Sequence, residues 1–82
     1  MFEKIAPQKV RHKTGYIVQV GSRHSVEYID DQLFASVEVE FAPKVTLVYE
    51  KTLKGSAVSD HQEILNRIAA GLVAMGCNVE LG

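Results

Sequence analysis

The first half of the chain alternates between apolar and polar residues, which is typical of strands that bury one face. The clearest stretch is LFASVEVEF, residues 33–41, in which Val37 and Val39 point one way and Glu38 and Glu40 the other. Neighbouring stretches show the same alternation and are rich in β-branched and aromatic residues. The pattern predicts a four-stranded antiparallel meander with strands near residues 9–20, 24–30, 33–41 and 45–51.

Three short turns would join these strands in a register that keeps one face of the sheet apolar. In an antiparallel pair, opposed residues share a face, so the apolar pattern constrains each turn. The predicted pairs are Val18 with Val26 and Tyr16 with Tyr28 in the first hairpin, Tyr28 with Ala35, Val26 with Val37 and Ile29 with Phe34 in the second, and Val39 with Leu47 in the third.

Towards the end of the chain the apolar period lengthens to that of a helix. Ser59 and Gln62 have the spacing of a capping box, and Gly76 suits the left-handed residue that closes a helix. The spacing therefore predicts a C-terminal helix near residues 60–75. It is the one segment long enough to cover the apolar face of the sheet.

The remaining segments are short. A brief edge strand is expected after the helix, and residues 1–8 are expected to form an extended arm. The whole chain, residues 1–82, is then a single α+β domain in which a β-meander packs on one helix.

The outer face of the predicted sheet carries apolar side chains. Ile29 lies opposite Phe34, with Ile17 and Val48 on the same face. Scattered apolar residues on a surface are ordinary, but adjacent ones begin a patch. We therefore expect Ile17, Ile29 and Phe34 to contact a partner, with coverage by Phe2 and Ile5 of the same chain as the alternative.

The outer face of the predicted helix is also short of polar groups. Ala70, Gly71 and Ala74 would point away from the sheet, and no charge follows Arg67 within the helix. Glycine inside a helix costs about 1 kcal/mol relative to alanine, so a structural reason is expected. Small side chains let another backbone approach, either an edge strand or the N-terminal arm of the same chain or a second subunit, and twofold dimers are the commonest oligomers. The pattern favours a homodimer.

Charge is divided along the chain although the net charge is only −1. Residues 1–24 carry a net +4 and residues 25–50 a net −5. The simplest interpretation is that basic and acidic strands lie side by side and form ion pairs across the sheet. The alternative is nucleic-acid binding through Lys9, Arg11, Lys13 and Arg23, since phosphate attraction requires little more than a basic surface.

Histidines and tyrosines offer a third interpretation. By strand parity His24 faces the apolar side, and His61 falls within the apolar arc of the helix. With Tyr16, Tyr28 and Tyr49 they would form the rim of a site for a small apolar ligand between helix and sheet. No two histidines have the close spacing of zinc ligands, so neither a metal nor another cofactor is expected.

The sequence contains no phosphate loop, nucleophile elbow or HExxH motif, so no enzymatic activity is expected. Its apolar stretches are too short to span a bilayer, and its N-terminus is too charged for a signal peptide. The expected protein is a small, soluble, cytoplasmic interaction module that forms a homodimer and docks on a larger protein. Nucleic-acid binding and apolar-ligand binding stay open as alternatives.

Overall fold

The computed structural model of the chain describes residues 1–55 and 60–82. Its elements are β1 (Phe2–Ala6), β2 (Lys9–His12), β3 (Ile17–Ser22), β4 (Ser25–Ile29), β5 (Phe34–Phe41), β6 (Thr46–Gly55), α1 (His61–Ala74) and β7 (Val79–Leu81). Strands that follow one another in sequence are neighbours in one sheet, in the order β1-β2-β3-β4-β5-β6-β7.

The sheet is mixed and curls into a half-barrel that holds the helix. Strands β1 to β6 pair antiparallel, whereas β7 pairs parallel to β6 because α1 connects them as a crossover. The predicted α+β class is right, but the four-stranded meander is wrong because it is too small. The short C-terminal edge strand is present as β7.

A turn divides the segment that the sequence predicted as one strand over residues 9–20. Gly15 has φ +112°, a left-handed conformation that glycine adopts without strain. Its N–H donates to the carbonyl of His12 at 2.8 Å, and the N–H of His12 donates to the carbonyl of Tyr16 at 2.8 Å. The chain therefore reverses between β2 and β3.

The N-terminal residues, expected as an extended arm, contain β1. Glu3 lies opposite Arg11 and Lys4 opposite Val10, so β1 extends the sheet beyond β2. A bulge between Lys4 and Ala6 precedes the turn into β2. Bulges of this kind are common at sheet edges, where they terminate or bend the pairing.

The observed register agrees with the predicted one in the second hairpin, where Tyr28 pairs with Ala35 and Ile29 with Phe34. The first hairpin is shifted by two residues, so Val18 lies opposite Tyr28, and a shift by two leaves every side chain on its predicted face. The third is shifted by one, with Val39 opposite Val48 instead of Leu47. A one-residue shift exchanges the faces, so Val48 is fully buried and not on the outer face.

Helix α1 begins and ends at defined caps. The N-cap is Asp60, whose side chain accepts from the N–H of Glu63 at 3.0 Å; Ser59, the predicted cap, lies outside the described residues. At the other end Gly76 has φ +100°, and the N–H of Cys77 donates to the carbonyl of Leu72 at 3.0 Å. These are the features of a glycine-terminated helix, as the sequence predicted.

The core lies between the concave face of the sheet and α1. The helix contributes Ile64, Leu65, Ile68, Gly71 and Leu72 to the interface. The buried apolar side chains from the strands and turns are Val10, Tyr16, Val18, Val26, Tyr28, Ala35, Val37, Val39, Val48 and Leu53. Among the described residues, no helix has the length and apolar character needed to cross a membrane.

Candidate functional site

Three apolar residues form a straight row on the outer face of the sheet. Ile17 on β3 lies opposite Ile29 on β4, which lies opposite Phe34 on β5. Both isoleucines are half-buried, and Phe34 is 45% exposed. The sequence predicted these residues on this face, and the pairing makes them direct cross-strand neighbours. We call them the outer row.

The helix face expected to be bare differs from the prediction at one residue. Gly71 is buried against the sheet, and a Cβ placed on it would lie 2.6 Å from Cβ of Val18. It therefore cannot contact a second subunit, and its place on the exposed face is taken by Val73, which is 58% exposed. Ala70 and Ala74 are exposed as expected. We call Ala70, Val73 and Ala74 the helix patch.

Four aromatic rings form a connected cluster on the concave side of the sheet, beside α1. The imidazole of His12 stacks on Tyr16 with a centroid distance of 4.7 Å and an interplanar angle of 8°. Phe2 meets His12 edge-on at 4.9 Å, and Tyr16 lies 5.3 Å from Tyr28. Since each ring contacts the next, the cluster fixes the end of the sheet where β1, β2 and β3 meet.

Arg67 connects this cluster to the helix. Its Nη1 donates to the hydroxyl of Tyr28 at 2.8 Å, and its Nη2 donates to Glu63 one turn earlier. The guanidinium carbon lies 5.2 Å from the centroid of Tyr16, within range of a cation–π contact. The arginine is therefore held on three sides.

Asp30 completes a hydrogen-bond network with Tyr28. The tyrosine hydroxyl donates to Oδ2 at 2.7 Å, and the backbone N–H groups of Gln32 and Leu33 donate to Oδ1 at 2.7 and 2.9 Å. Burial, followed by the hydrogen bond to Asp30, raises the pKa of Tyr28 to about 12. The hydrogen bond from Tyr28 is the main cause that lowers the pKa of Asp30. Both effects favour a neutral tyrosine beside a charged aspartate.

Two clefts flank the turn at Gly15. The first, of about 270 Å³, lies between Tyr28, Asp30 and Arg67, and we call it the Tyr28 cleft. The second, of about 410 Å³, lies beside Phe2 and His12, and we call it the Phe2 cleft. The first has Asp31, Gln32, Thr14 and Tyr16 as further lining; the second has Met1, Glu3, Arg11 and Lys13.

The structure assembles only part of the predicted ligand rim. Tyr16 and Tyr28 meet at the Tyr28 cleft, but His24 lies in the β3–β4 turn, at the other end of β4 from Asp30. His61 is exposed at the start of α1. Tyr49 points to the outer face and donates to Glu40 at 2.8 Å. Within residues 1–55 and 60–82, no group of histidine, cysteine, aspartate or glutamate residues has the arrangement of a metal site.

The basic residues do not gather into one surface. Lys9 and Arg11 alternate with buried Val10 and so lie on the outer face, whereas Lys13 and Arg23 lie in turns at opposite ends of the β2–β3 pair. The expected ion pairs between basic and acidic strands are not those observed. Arg11 pairs with Glu3 of β1 at 2.9 Å, and the other ion pair among the described residues joins Glu63 to Arg67 within the helix.

Four participants in the aromatic cluster and its network were missed in the sequence: Phe2, His12, Asp30 and Arg67. Arg67 and Glu63 have the spacing of an i, i+4 ion pair, so their contact on the helix could have been predicted from the sequence. Asp30 precedes a turn and has the spacing of a side chain that accepts from the backbone two residues on. Phe2 and His12 come together only through β1, a strand that the sequence pattern did not reveal.

No family model, no curated protein and no solved structure matches the chain.

Proposed function

We propose that this protein is a small non-enzymatic interaction module that forms a homodimer through the outer face of its sheet. The outer row is the observation that supports the proposal. Its three apolar side chains lie side by side on adjacent strands, away from the helix and the core. Adjacent apolar side chains on a surface begin a patch, and apolar patches are often interaction surfaces.

The charges on either side of the outer row favour a second copy as the partner. On β2, Lys9 and Arg11 share the outer face, where Arg11 already pairs with Glu3, and on β5 Glu38 and Glu40 share it. A twofold axis parallel to the strands and close to β4 places the basic side of one copy over the acidic side of the other. Such an arrangement is self-complementary, as an isologous interface requires.

The dimensions of the molecule are compatible with such an interface. Its two longer extents are 33 and 27 Å. The sheet curls around the helix, so its outer face is convex and two copies would contact along the strands nearest the axis, with the helices outside. A stable interface of standard size buries about 800 Å² on each partner, so this contact would lie at the weak end of specific dimers.

The test compares two phenylalanines of similar exposure on opposite faces of the sheet. Phe34 in the outer row is 45% exposed, and Phe41, on the concave side opposite buried Thr46, is 41% exposed. We expect Phe34→Glu to be monomeric, because a charge placed in an apolar contact loses its hydration. Phe41→Glu should keep the mass of the wild-type dimer. Analytical ultracentrifugation measures the mass, and circular dichroism checks the fold.

Two outcomes contradict the proposal. One is a wild-type protein that remains monomeric at about 1 mM, a concentration at which even a weak specific dimer is populated. The other is a folded Phe34→Glu variant that sediments as the wild-type dimer does.

A further inference from the structure

The Phe2 cleft combines apolar rings with positive charge. Phe2 and His12 are both half-buried, so part of each ring faces the cleft. Phe2 is held edge-on against His12, which is itself stacked on Tyr16. Because the rings already support one another, they form a surface that is ordered before a ligand arrives.

The turn beside the rings leaves the cleft open. A Cβ placed on Gly15 would meet no atom within 4 Å, so the space around this residue is free. The side chain of Thr14 is directed to His12, whose Nδ1 lies 2.8 Å from the threonine Oγ1 and accepts from the backbone N–H of Thr14 at 3.2 Å. The volume of about 410 Å³ is within the usual range for small-molecule sites.

The charges around the Phe2 cleft favour an anion. Arg11 and Lys13 line it against one acidic residue, Glu3, which pairs with Arg11 at 2.9 Å. Lys13 makes no ion pair in the part of the chain that the structure describes. Desolvation is the main cause that lowers the pKa of His12, and nearby positive charges, including Lys13 and Arg67, lower it further.

The Tyr28 cleft lacks this combination. Asp30 and Asp31 outnumber its single cation, Arg67, which already donates to Tyr28 and Glu63. The oxygens of Asp30 accept hydrogen bonds from the protein itself. An anion would be repelled there.

We propose that the Phe2 cleft binds a small aromatic anion, with the ring against Phe2 and His12 and the anionic group at Lys13 and Arg11. An aromatic carboxylate and a nucleotide phosphate share this chemistry. The cleft lies at the end of the sheet where β1, β2 and the turn at Gly15 meet, and its cation Arg11 also belongs to the basic side of the proposed dimer interface. Phe2, His12 and Lys13 are not part of that interface, so their contributions to binding do not depend on self-association.

The first experiment titrates the ¹⁵N-labelled protein with small probes and follows amide chemical shifts. We expect phenyl phosphate to shift the amides of Phe2, His12, Lys13 and Gly15. It should bind about tenfold more tightly than inorganic phosphate, which has no ring, because one stacked ring contributes about that factor or more. Phenol, which has no anionic group, should also bind more weakly than phenyl phosphate. Benzoate and adenosine monophosphate distinguish the two sources. Tighter binding of benzoate would identify an aromatic carboxylate, and tighter binding of adenosine monophosphate would identify a nucleotide.

The second experiment changes the charges of the cleft in both directions. Lys13→Gln should weaken the binding of phenyl phosphate by up to about fivefold, the effect of one exposed ion pair. Glu3→Gln should strengthen binding by a similar factor, because it removes a repelling carboxylate and frees Arg11. Lys51→Gln, at an exposed lysine of β6, is the matched control and should leave the affinity unchanged.

Three results would overturn the proposal. Inorganic phosphate binding as tightly as phenyl phosphate would show that the rings take no part. Equal effects of Lys13→Gln and Lys51→Gln would show that only net charge matters. An absence of shifts at Phe2, His12 and Gly15 with every probe at about 10 mM would exclude a site of even millimolar affinity.

Discussion

Gly71 is a residue at which the helix lies close against the sheet. It lies seven residues after Ile64, hence on the same helical face as this buried residue. Its lack of a side chain is explained by Val18, whose Cβ and both Cγ atoms would lie within 2.8 Å of an added Cβ. Glycine is thus required by packing within one chain. The sequence suggested that something approaches Gly71 but did not identify the sheet as the neighbour.

The predicted effect of Gly71→Ala follows from two opposing contributions. Alanine favours the helix by about 1 kcal/mol, whereas overpacking a core costs about 1–3 kcal/mol. We expect a net decrease of up to about 2 kcal/mol in the free energy of unfolding, measured by urea denaturation. In the Val18→Ala background, where the side chain facing Gly71 is smaller, Gly71→Ala should lower the free energy of unfolding by less. A Gly71→Ala variant more stable than the wild type would show that the helix can move away from the sheet.

Tyr28 and Asp30 predict how stability depends on alkaline pH. The pKa of Tyr28 is raised from 10.0 to about 12 by burial and by the hydrogen bond to Asp30. A folded-state pKa above the unfolded value means that the contribution is complete below pH 10 and is lost as the pH rises towards 12. The ultraviolet absorbance of tyrosinate should show one group titrating about two pH units late. Tyr28→Phe should remove this late step, and a variant that keeps a step near pH 12 would contradict the assignment.

At the scale of elements, the alternation of apolar residues predicts on which face of the sheet a side chain lies better than it predicts how the strands are connected. The outer row could be predicted because a shift of two residues, as in the first hairpin, preserves the face of every side chain. The register of the third hairpin could not be predicted in this way. The Ala42 N–H donates to the carbonyl of Val45, and this tighter turn moves the register by one residue. That shift brings Val48 into the core.

The alternation of apolar residues also fails to show where one strand ends and the next begins. β2 and β3 alternate in phase across the turn at Gly15, so the segment over residues 9–20 has the pattern of a single strand. Because β2 is hidden in this way, the sequence shows no pairing partner for β1 and predicts an extended arm. The Phe2 cleft depends on that pairing, and for this reason the sequence identified Arg11 and Lys13 as basic residues but not as the lining of a cleft. Both missed pairings are local hairpins, so the apolar pattern concealed the turns and not a distant partner.

At the scale of the whole molecule, two exposed apolar surfaces lie on opposite sides of the domain. The outer row places a phenylalanine and two isoleucines on adjacent strands, between a basic and an acidic side. The helix patch has one valine between two alanines, with no charge after Arg67 in α1. The free energy of association increases with the apolar area removed from water, so the larger side chains of the outer row favour the sheet as the interface.

A double substitution in the helix patch distinguishes the two surfaces. Ala70→Glu with Ala74→Lys places an acidic residue four positions before a basic one, a pair that slightly stabilises an exposed helix. The fold should therefore be preserved, which circular dichroism and thermal unfolding can check. If the outer row is the interface, the double variant keeps the dimer mass in analytical ultracentrifugation, and Phe34→Glu in the same background becomes monomeric. If the helix patch is the interface, the two charges are buried on association at a cost of several kcal/mol. The double variant is then a folded monomer, and the dimer must be assigned to α1 instead of the sheet.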